Sequence, residues 1–382
     1  MMANAPPPTL PDWLRHQAQH RPHAIALRHK RLGAWHALSW HAVATLVEKL
    51  AAGLAKRGFG AGDTLLLVSH PREEALILSL AAQWNGGVAI PLDPQLADDA
   101  LGVVIAQLTP RFAFAEDDTQ LDRLLAYEGL RVIDANPRHL TEHPHPAVID
   151  YRALSSQLEG SFGSAARPQD DAFAFVRFDT EGQLVAQRFP HATLVREAQQ
   201  LVDAEKLNAN DEAFAARAFA AASQARYLIA PWVLSGFRLN FPESLATRDN
   251  DRRELAPTLV AGTRETYARV AQLVDDRLPG PRSWRRRLIS RIQRRQAGPL
   301  ERTVTWWFIT RPLREVIGFS RTHAALVIGA PLDDTTATLF EVLRIDAHAW
   351  PDSSDWRRIE HKREIPVPQH YASDGATEQP AY

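Results

Sequence analysis

Residues 170–194 read DDAFAFVRFDTEGQLVAQRFPHATL and combine the signals of a strand, a turn and a helix start. The apolar run 173–178 is typical of a short buried strand. Residues 179–182 have turn composition, and a helical pattern resumes near His191. A strand, a Thr/Gly turn and a nearby helix start form the arrangement that binds phosphates through backbone N–H groups. The stretch therefore predicts the layout of a nucleotide-binding loop.

The charges of this predicted loop oppose phosphate binding. Asp179 and Glu181 place carboxylates where a triphosphate would lie. No lysine follows Gly182, since residues 183–186 are Gln, Leu, Val and Ala. At close range in a partly dry site, like charges repel each other by several kcal/mol. The sequence thus keeps the layout of a phosphate loop without its charge chemistry.

Upstream of the loop, apolar strands alternate with amphipathic helices, which predicts a parallel, doubly wound α/β sheet. The predicted strands are 65–68, 88–91, 112–115 and 131–134, and the helices between them are 72–84, 96–107 and 119–126. A strand pair, 24–28 and 35–39, precedes a helix capped by Ser39. Such sheets bind ligands at the carboxyl ends of their strands. Those ends carry Ser69, His70, Asp93 and Glu116, each of which we interpret as a loop or cap residue.

The loop also resembles the phosphate-binding loop of adenylate-forming (AMP-binding) enzymes, most closely the long-chain acyl-CoA synthetases. Their motif, T-S-G-T-T-G-x-P-K-G followed by S-H-x-x-L, is matched here at Thr180, Gly182, His191 and Leu194. The first Gly, the second Thr, the Pro and the Lys have no counterpart. Scattered matches at 28–35, 89–92 and 111–117 extend the resemblance. It makes Thr180 and Gly182 candidate cofactor-binding residues of a vestigial phosphate loop.

The resemblance implies the large domain of that superfamily, with two doubly wound sheet subdomains packed in αβαβα layers. We predict a disordered segment at 1–9, a first α/β subdomain at 10–165, a second at 166–350 and an irregular tail at 351–382. The family's Y-G-x-T-E motif, which serves ATP and magnesium, is replaced by WPDSSDW at 350–356. We expect the small C-terminal domain and its catalytic lysine to be absent. By the same resemblance, Trp232 and Gly236 are candidate substrate-pocket residues.

A basic run at 282–295 gives a second kind of candidate site. Trp284, Leu288 and Ile292 recur every four residues, so the pattern predicts a basic amphipathic helix. Such a helix lies on an anionic membrane or an acidic partner, or docks on its own domain. Its surface candidates are Arg285, Arg286, Arg287, Arg291, Arg294 and Arg295. The run 306–308, Trp-Trp-Phe, we expect to be buried.

Composition excludes several classes of function. The chain has 382 residues, 45% hydrophobic and 23% charged, with a net charge of −1, which argues against a nucleic-acid binder. It has no cysteine, so disulfides, thiol catalysis and Cys–zinc sites are excluded. We expect no signal peptide, no membrane span and a cytoplasmic location, with peripheral membrane contact as an alternative. The histidines at 139, 143 and 145 we interpret as a solvated loop, so we assign no metal site.

These observations predict a folded, catalytically inactive acyl-CoA synthetase-like protein with no catalytic residue and no cofactor. It would act by binding a protein partner, such as an active acyl-activating enzyme, or an acyl ligand. The first alternative is a fatty acid–CoA ligase with residual activity, or one completed by another subunit, which would use ATP and magnesium. The second alternative is a membrane-surface adaptor acting through 282–295.

Overall fold

A computed structural model describes residues 6–135, 145–156, 163–217, 219–276, 298, 303–352 and 354–359. The six candidate arginines between Arg285 and Arg295 lie outside these residues, as do His139 and His143. The described strands form two sheets, numbered here along the chain. The first has the order β15 (Arg357–Arg358), β9 (Leu184–Pro190), β8 (Asp171–Phe178), β4 (Val88–Leu92), β3 (Thr64–Val68), β5 (Phe112–Ala115), β6 (Arg131–Asp134) and β7 (Val148–Asp150). The second has the order β14 (Ala347–Trp350), β13 (Ala324–Ile328), β12 (Leu259–Gly262), β10 (Glu212–Phe214), β11 (Arg238–Phe241), β1 (Ile25–Arg31) and β2 (Ala34–Ser39).

The helices cover both faces of each sheet. They are α1 (Leu10–His20), α2 (Trp40–Lys56), α3 (Glu73–Trp84), α4 (Asp98–Leu108), α5 (Asp118–Leu125), α6 (Tyr151–Ser156), α7 (His191–Glu205), α8 (Ala222–Gln224), α9 (Ala230–Ser235), α10 (Arg248–Leu255), α11 (Arg264–Asp275), α12 (Arg311–Ile317) and α13 (Asp334–Val342). A π-helical turn, Ala225–Ile229, joins α8 to α9, and a second, Trp306–Thr310, precedes α12.

Strand β3 shows why the layers stack as they do. Its side chains alternate, so Leu65 and Leu67 enter the central core with helices α2, α3 and α7 and with the second sheet. Leu66 and Val68 enter an outer core with α4 and α5. A third core packs α11, α12 and α13 on the outer face of the second sheet. The central strands of both sheets are therefore buried on both faces, and the described residues have the expected αβαβα layering.

The predicted alternation of parallel strands and helices is confirmed. Strands β4, β3, β5, β6 and β7 are parallel neighbours, and β5 coincides with the predicted strand 112–115. Ser39 caps α2 by accepting a hydrogen bond of 3.2 Å from the backbone N–H of Ala42. Strand β9 was not predicted. It forms an antiparallel hairpin with β8, so the stretch that decides the fold contains two strands.

The two sheets do not follow the predicted subdomain boundary. Strands β1 and β2, from the first predicted subdomain, belong to the sheet built mainly by the second. Strands β8 and β9, from the second predicted subdomain, extend the other sheet. In the predicted tail at 351–382, the described residues include the short strand β15.

The expectation that residues 306–308 are buried is wrong for two of the three. Trp307 is 55% exposed and Phe308 is 61% exposed. The π-helical turn buries Ile309 and Thr310 instead, which leaves the two preceding rings on the outside. The guanidinium of Arg311 lies 5.1 Å from the centre of the Trp307 ring.

Candidate functional site at the carboxyl edges of the sheets

The carboxyl ends of β3, β4, β5 and β8 meet along one edge because these strands are parallel. This edge carries the polar residues singled out from the sequence. Ser69 and His70 follow β3, Asp93 follows β4, Glu116 follows β5 and Asp179 follows β8. The structure therefore assembles groups that the sequence separates by up to about a hundred positions.

The turn at 179–182 closes the β8–β9 hairpin. Its conformation needs Gly182, which has a φ of 72°. The carboxylate of Asp179 accepts hydrogen bonds from the backbone N–H groups of Glu181 at 2.9 Å and Gln183 at 2.8 Å. Backbone N–H groups are what a phosphate loop offers to its ligand. Here a carboxylate of the turn itself occupies two of them.

A segment that follows β14 closes over this hairpin, and we refer to residues 351–352 and 354–359 as the strap. Its strand β15 pairs antiparallel with β9, with Arg358 opposite Val185. The Arg358 guanidinium forms an ion pair with Glu181 and lies 3.7 Å from Asp179 Oδ2. The strap thus supplies the positive charge next to both loop carboxylates.

Two further contacts hold the strap to the sheets. The guanidinium of Arg177 lies 4.2 Å from the centre of the Trp356 ring, a distance typical of a cation–π contact. The carbonyl oxygen of Pro351 accepts hydrogen bonds from Arg226 Nη1 at 3.0 Å and the Tyr227 hydroxyl at 2.5 Å. The residues that replace the Y-G-x-T-E motif are therefore held against the π-helical turn between α8 and α9.

The two candidate substrate-pocket residues lie in the central packing. Trp232 is fully buried, stacks on Trp40 at 4.8 Å and donates a hydrogen bond of 2.9 Å to the carbonyl of Ala26. Gly236 ends α9 with a φ of 74°, and its carbonyl accepts from Arg21 Nη1 at 2.8 Å. Their role toward an acyl chain stays a prediction, as does nucleotide binding by Thr180 and Gly182.

A cavity of about 540 Å³, the crevice cavity, opens where the carboxyl edges of the two sheets face each other. Residues after β1, β3, β5 and β11 contribute to its walls. Its apolar lining includes Pro71, Ala135, Pro242 and Leu245. The titratable lining residues of interest are Arg31, His70, Arg72, Glu73, Glu74 and Glu116.

His70 and Glu116 form a close pair in this cavity. Glu116 Oε1 lies 2.5 Å from His70 Nδ1, and Glu116 Oε2 accepts from the His70 backbone N–H at 2.7 Å. Ser69 Oγ donates to the same oxygen at 3.3 Å. The hydrogen bond to Glu116 raises the pKa of the His70 imidazole above its ordinary value. The sequence interpretation of His70 and Glu116 as separate loop or cap residues misses this pair, for which their positions at the ends of the neighbouring strands β3 and β5 are the signal.

Glu74 is the centre of a second ion-pair network. Arg72 donates to it from Nε at 2.8 Å and from Nη2 at 3.1 Å, and Arg31 Nη2 lies 2.5 Å from its Oε1. Burial would raise the pKa of the Glu74 carboxyl, but the hydrogen bonds and charge of Arg72 and the charge of Arg31 outweigh it, and the pKa falls to about 2. His29, Glu73 and Glu74 have ligand atoms within 4.8 Å of one another. Because guanidinium groups already neutralise both carboxylates, this cluster is an ion-pair network.

The family assignment rests on most of the chain. The family model described as AMP-binding enzyme matches residues 14–348. The chain belongs to this family. Among curated AMP-binding relatives, the 2-succinylbenzoate–CoA ligase of Salmonella typhimurium is 36% identical over 126 residues, covering 33% of this chain and 26% of that ligase. The 2-succinylbenzoate–CoA ligase of Escherichia coli K12 is 32% identical over 165 residues, covering 39% of this chain and 36% of that ligase. The chain thus covers well under half of either ligase.

Solved structures of AMP-binding enzymes share the fold. The adenylation domain of a carboxylate reductase from Mycobacterium chelonae superposes with a TM-score of 0.70 at 14% identity, covering 92% of this chain and 58% of that chain. A fatty acyl-adenylate ligase from L. pneumophila, in complex with acyl adenylate and pyrophosphate, superposes with a TM-score of 0.62 at 13% identity. The match covers 88% of this chain and 52% of that chain. At these identities the similarity establishes the fold alone. Among the described residues, no helix is both long enough and apolar enough to cross a membrane.

Proposed function

We propose that this AMP-binding family member does not adenylate a carboxylate, and that it acts by binding. Its partner would be another protein, with an active acyl-activating enzyme as the favoured candidate, or an acyl ligand. The observation that carries the proposal is the occupation of the Glu181 and Gln183 N–H groups by the carboxylate of Asp179. A triphosphate at this turn would have to displace that carboxylate and then remain next to two negative charges.

The counter-charge at the turn supports the same conclusion. Arg358 neutralises Asp179 and Glu181 from within the chain, so both carboxylates of the turn already have a basic partner. Phosphoryl chemistry depends on positive charge around the transferred group and its metal. The segment at 350–356, which replaces the Y-G-x-T-E motif, is held by hydrogen bonds from Arg226 and Tyr227 to Pro351. The layers of the fold are intact, but the charge of the loop is the reverse of what phosphate binding needs. This combination favours a binding role, which we place in the cytoplasm.

The second candidate is an acyl-activating ligase with residual activity, or one that another subunit completes with Mg-ATP. The family match and the ligases named among the relatives favour it. The two candidates differ in one measurable property, because a ligase must bind Mg-ATP and a binding protein of the proposed kind does not.

The test is calorimetric titration with Mg-ATP, with and without a long-chain fatty acid, on protein whose folding is confirmed by circular dichroism. We expect no heat of binding. The double variant Asp179→Gly/Glu181→Thr, which restores two positions of the family motif, should bind Mg-ATP measurably because both carboxylates are removed. Micromolar binding of Mg-ATP by the unaltered chain would reject the proposal and favour a ligase that another subunit completes. No binding would be followed by affinity capture of the partner.

A further inference from the structure

Arg31 and His70, two basic residues of the crevice cavity, are more exposed than the carboxylates with which they pair. The side chain of Arg31 is 40% exposed, whereas its partners Glu73 and Glu74 are 13% and 9% exposed. The side chain of His70 is 38% exposed and that of Glu116 is 8% exposed. In these pairs the basic side chain is therefore the more accessible member to a molecule that enters the cavity.

The geometry of His70 leaves one nitrogen for such a molecule. Nδ1 is held by Glu116, which fixes the ring plane, so in the imidazolium form Nε2–H is the remaining ring donor. An imidazole oriented by a buried carboxylate is pre-organised, which lowers the entropic cost of forming a further hydrogen bond.

Tyr151 adds a buried polar group to the same cavity. The residue lines the cavity and is 9% exposed, and among the described residues its hydroxyl has no hydrogen-bond partner. Burial raises the pKa of the Tyr151 hydroxyl well above its ordinary value, so it stays a neutral donor. A buried donor without a partner is costly, and a ligand oxygen that reached this hydroxyl would remove that cost.

We propose that the crevice cavity binds a small organic oxyanion, a carboxylate or a phosphate ester, with His70 Nε2–H donating to the anionic group. The exposed Arg152 at the rim supplies further positive charge. The volume of about 540 Å³ admits a molecule larger than a free ion. This site is separate from the turn at 179–182, and it stands whether or not that turn binds a nucleotide.

The charged groups around His70 give the site a pH dependence. Glu116, Asp93 and Asp117 face it from the ends of β5 and β4 and the start of α5, and each favours the imidazolium. Arg72 on α3, Arg31 on β1, Arg152 on α6 and Glu243 after β11 complete the surroundings. Because the imidazolium is the form with a charged N–H donor, anion binding should strengthen as the pH falls through the raised His70 pKa.

The test uses the full chain with succinate and inorganic phosphate as probes, titrated calorimetrically at about pH 8 and about pH 6. We expect either probe to bind more tightly at the lower pH; succinate alone identifies a carboxylate ligand, and phosphate alone a phosphate ester. His70→Gln should weaken binding at the lower pH by at least about tenfold, the effect of losing one charge-assisted hydrogen bond. His41→Gln, which alters an exposed histidine on α2, should leave binding unchanged.

Glu116→Gln separates a ligand contact from a structural role. It keeps the shape of the side chain but removes the charge that favours the imidazolium, so the rise in affinity should move to lower pH. Circular dichroism and thermal melting establish that each variant is folded. If neither probe binds the unaltered chain, or if His70→Gln binds as tightly and with the same pH dependence, the assignment is wrong.

Discussion

The carboxylate of Asp179 accepts a hydrogen bond of 2.8 Å from the backbone N–H of Gln183, so the turn between β8 and β9 is held by its own first residue. A second bond, from the Glu181 N–H, reaches the same oxygen at 2.9 Å. Asp179→Ala removes the acceptor of both hydrogen bonds and should lower the free energy of unfolding by about 1–2 kcal/mol. Urea denaturation measures this. Asp179→Asn keeps an acceptor oxygen, so its free energy of unfolding should stay close to that of the unaltered protein. Equal losses of stability in both variants would show that these hydrogen bonds do not stabilise the turn.

Arg358 makes a different kind of contribution, because its ion pairs with Glu181 and Asp179 are exposed to solvent. Exposed pairs contribute about 0–1 kcal/mol, so Arg358→Ala should barely change global stability. It should instead speed amide hydrogen exchange at the β9–β15 pairing, where Arg358 lies opposite Val185. Arg357→Ala is the matched control, since Arg357 pairs with the neighbouring Asp355. Similar exchange in both variants would mean that Arg358 does not hold the strap.

Gly236 allows a comparison of two glycines with similar backbones. A Cβ added there would lie 2.5 Å from Arg21 Nη1 and 2.6 Å from Gln17 Oε1, and φ is 74°. Gly33 has a φ of 76° and nothing within 4 Å of such a Cβ. Gly236→Ala should therefore cost about 1–2 kcal/mol more than Gly33→Ala, because Gln17 must give up a buried hydrogen bond and Arg21 a partly buried one. Chemical denaturation of both variants provides the difference; equal costs would show that the side chains move freely.

The Glu74 network predicts how stability depends on pH. The folded pKa of about 2 lies below the unfolded value, so this carboxylate stabilises the fold at neutral pH. The contribution, on the order of 3 kcal/mol, should be lost as pH falls from about 4.5 toward 2. In Glu74→Gln that acid-dependent loss should be smaller, while stability at pH 7 falls. Urea unfolding across this range is the measurement, with the exposed Glu128→Gln as control; matching pH profiles for the two variants would contradict the assignment.

Much of the scaffold follows from local pattern. Strand β5 contributes side chains to the central core and to the outer core of its sheet, and the apolar run at 112–115 contains enough information to place it. Helix α2 begins one residue after its Ser39 cap because that hydroxyl satisfies an N–H group of the first turn. Such signals lie within a few residues of the element they define, so one sequence suffices to recognise them.

The site depends on partners that lie far apart in the chain. His70 and Glu116 are separated by 46 residues, and Arg358 and Glu181 by 177. No periodicity relates such positions; only the order of strands in the sheets brings them together. The sequence analysis does not predict strand β9, because a strand followed by a Thr/Gly turn is also the pattern of a phosphate loop that leads into a helix. The outward position of Trp307 depends on a π-helical turn, which has no sequence signal of comparable strength.

Because each sheet combines strands from distant parts of the chain, the order of translation determines when each strand meets its partners. The carbonyl of Ala26 in β1 receives its hydrogen bond from Trp232, 206 residues later in the chain. At roughly 5–20 residues per second, the β1–β2 hairpin waits on the order of 10–40 s after leaving the ribosome before that tryptophan emerges. During this interval β1 lacks its hydrogen-bonding neighbour β11, and Trp232 is not yet present to pack beside it. The nascent chain should therefore depend on chaperones most strongly before its middle third has been made.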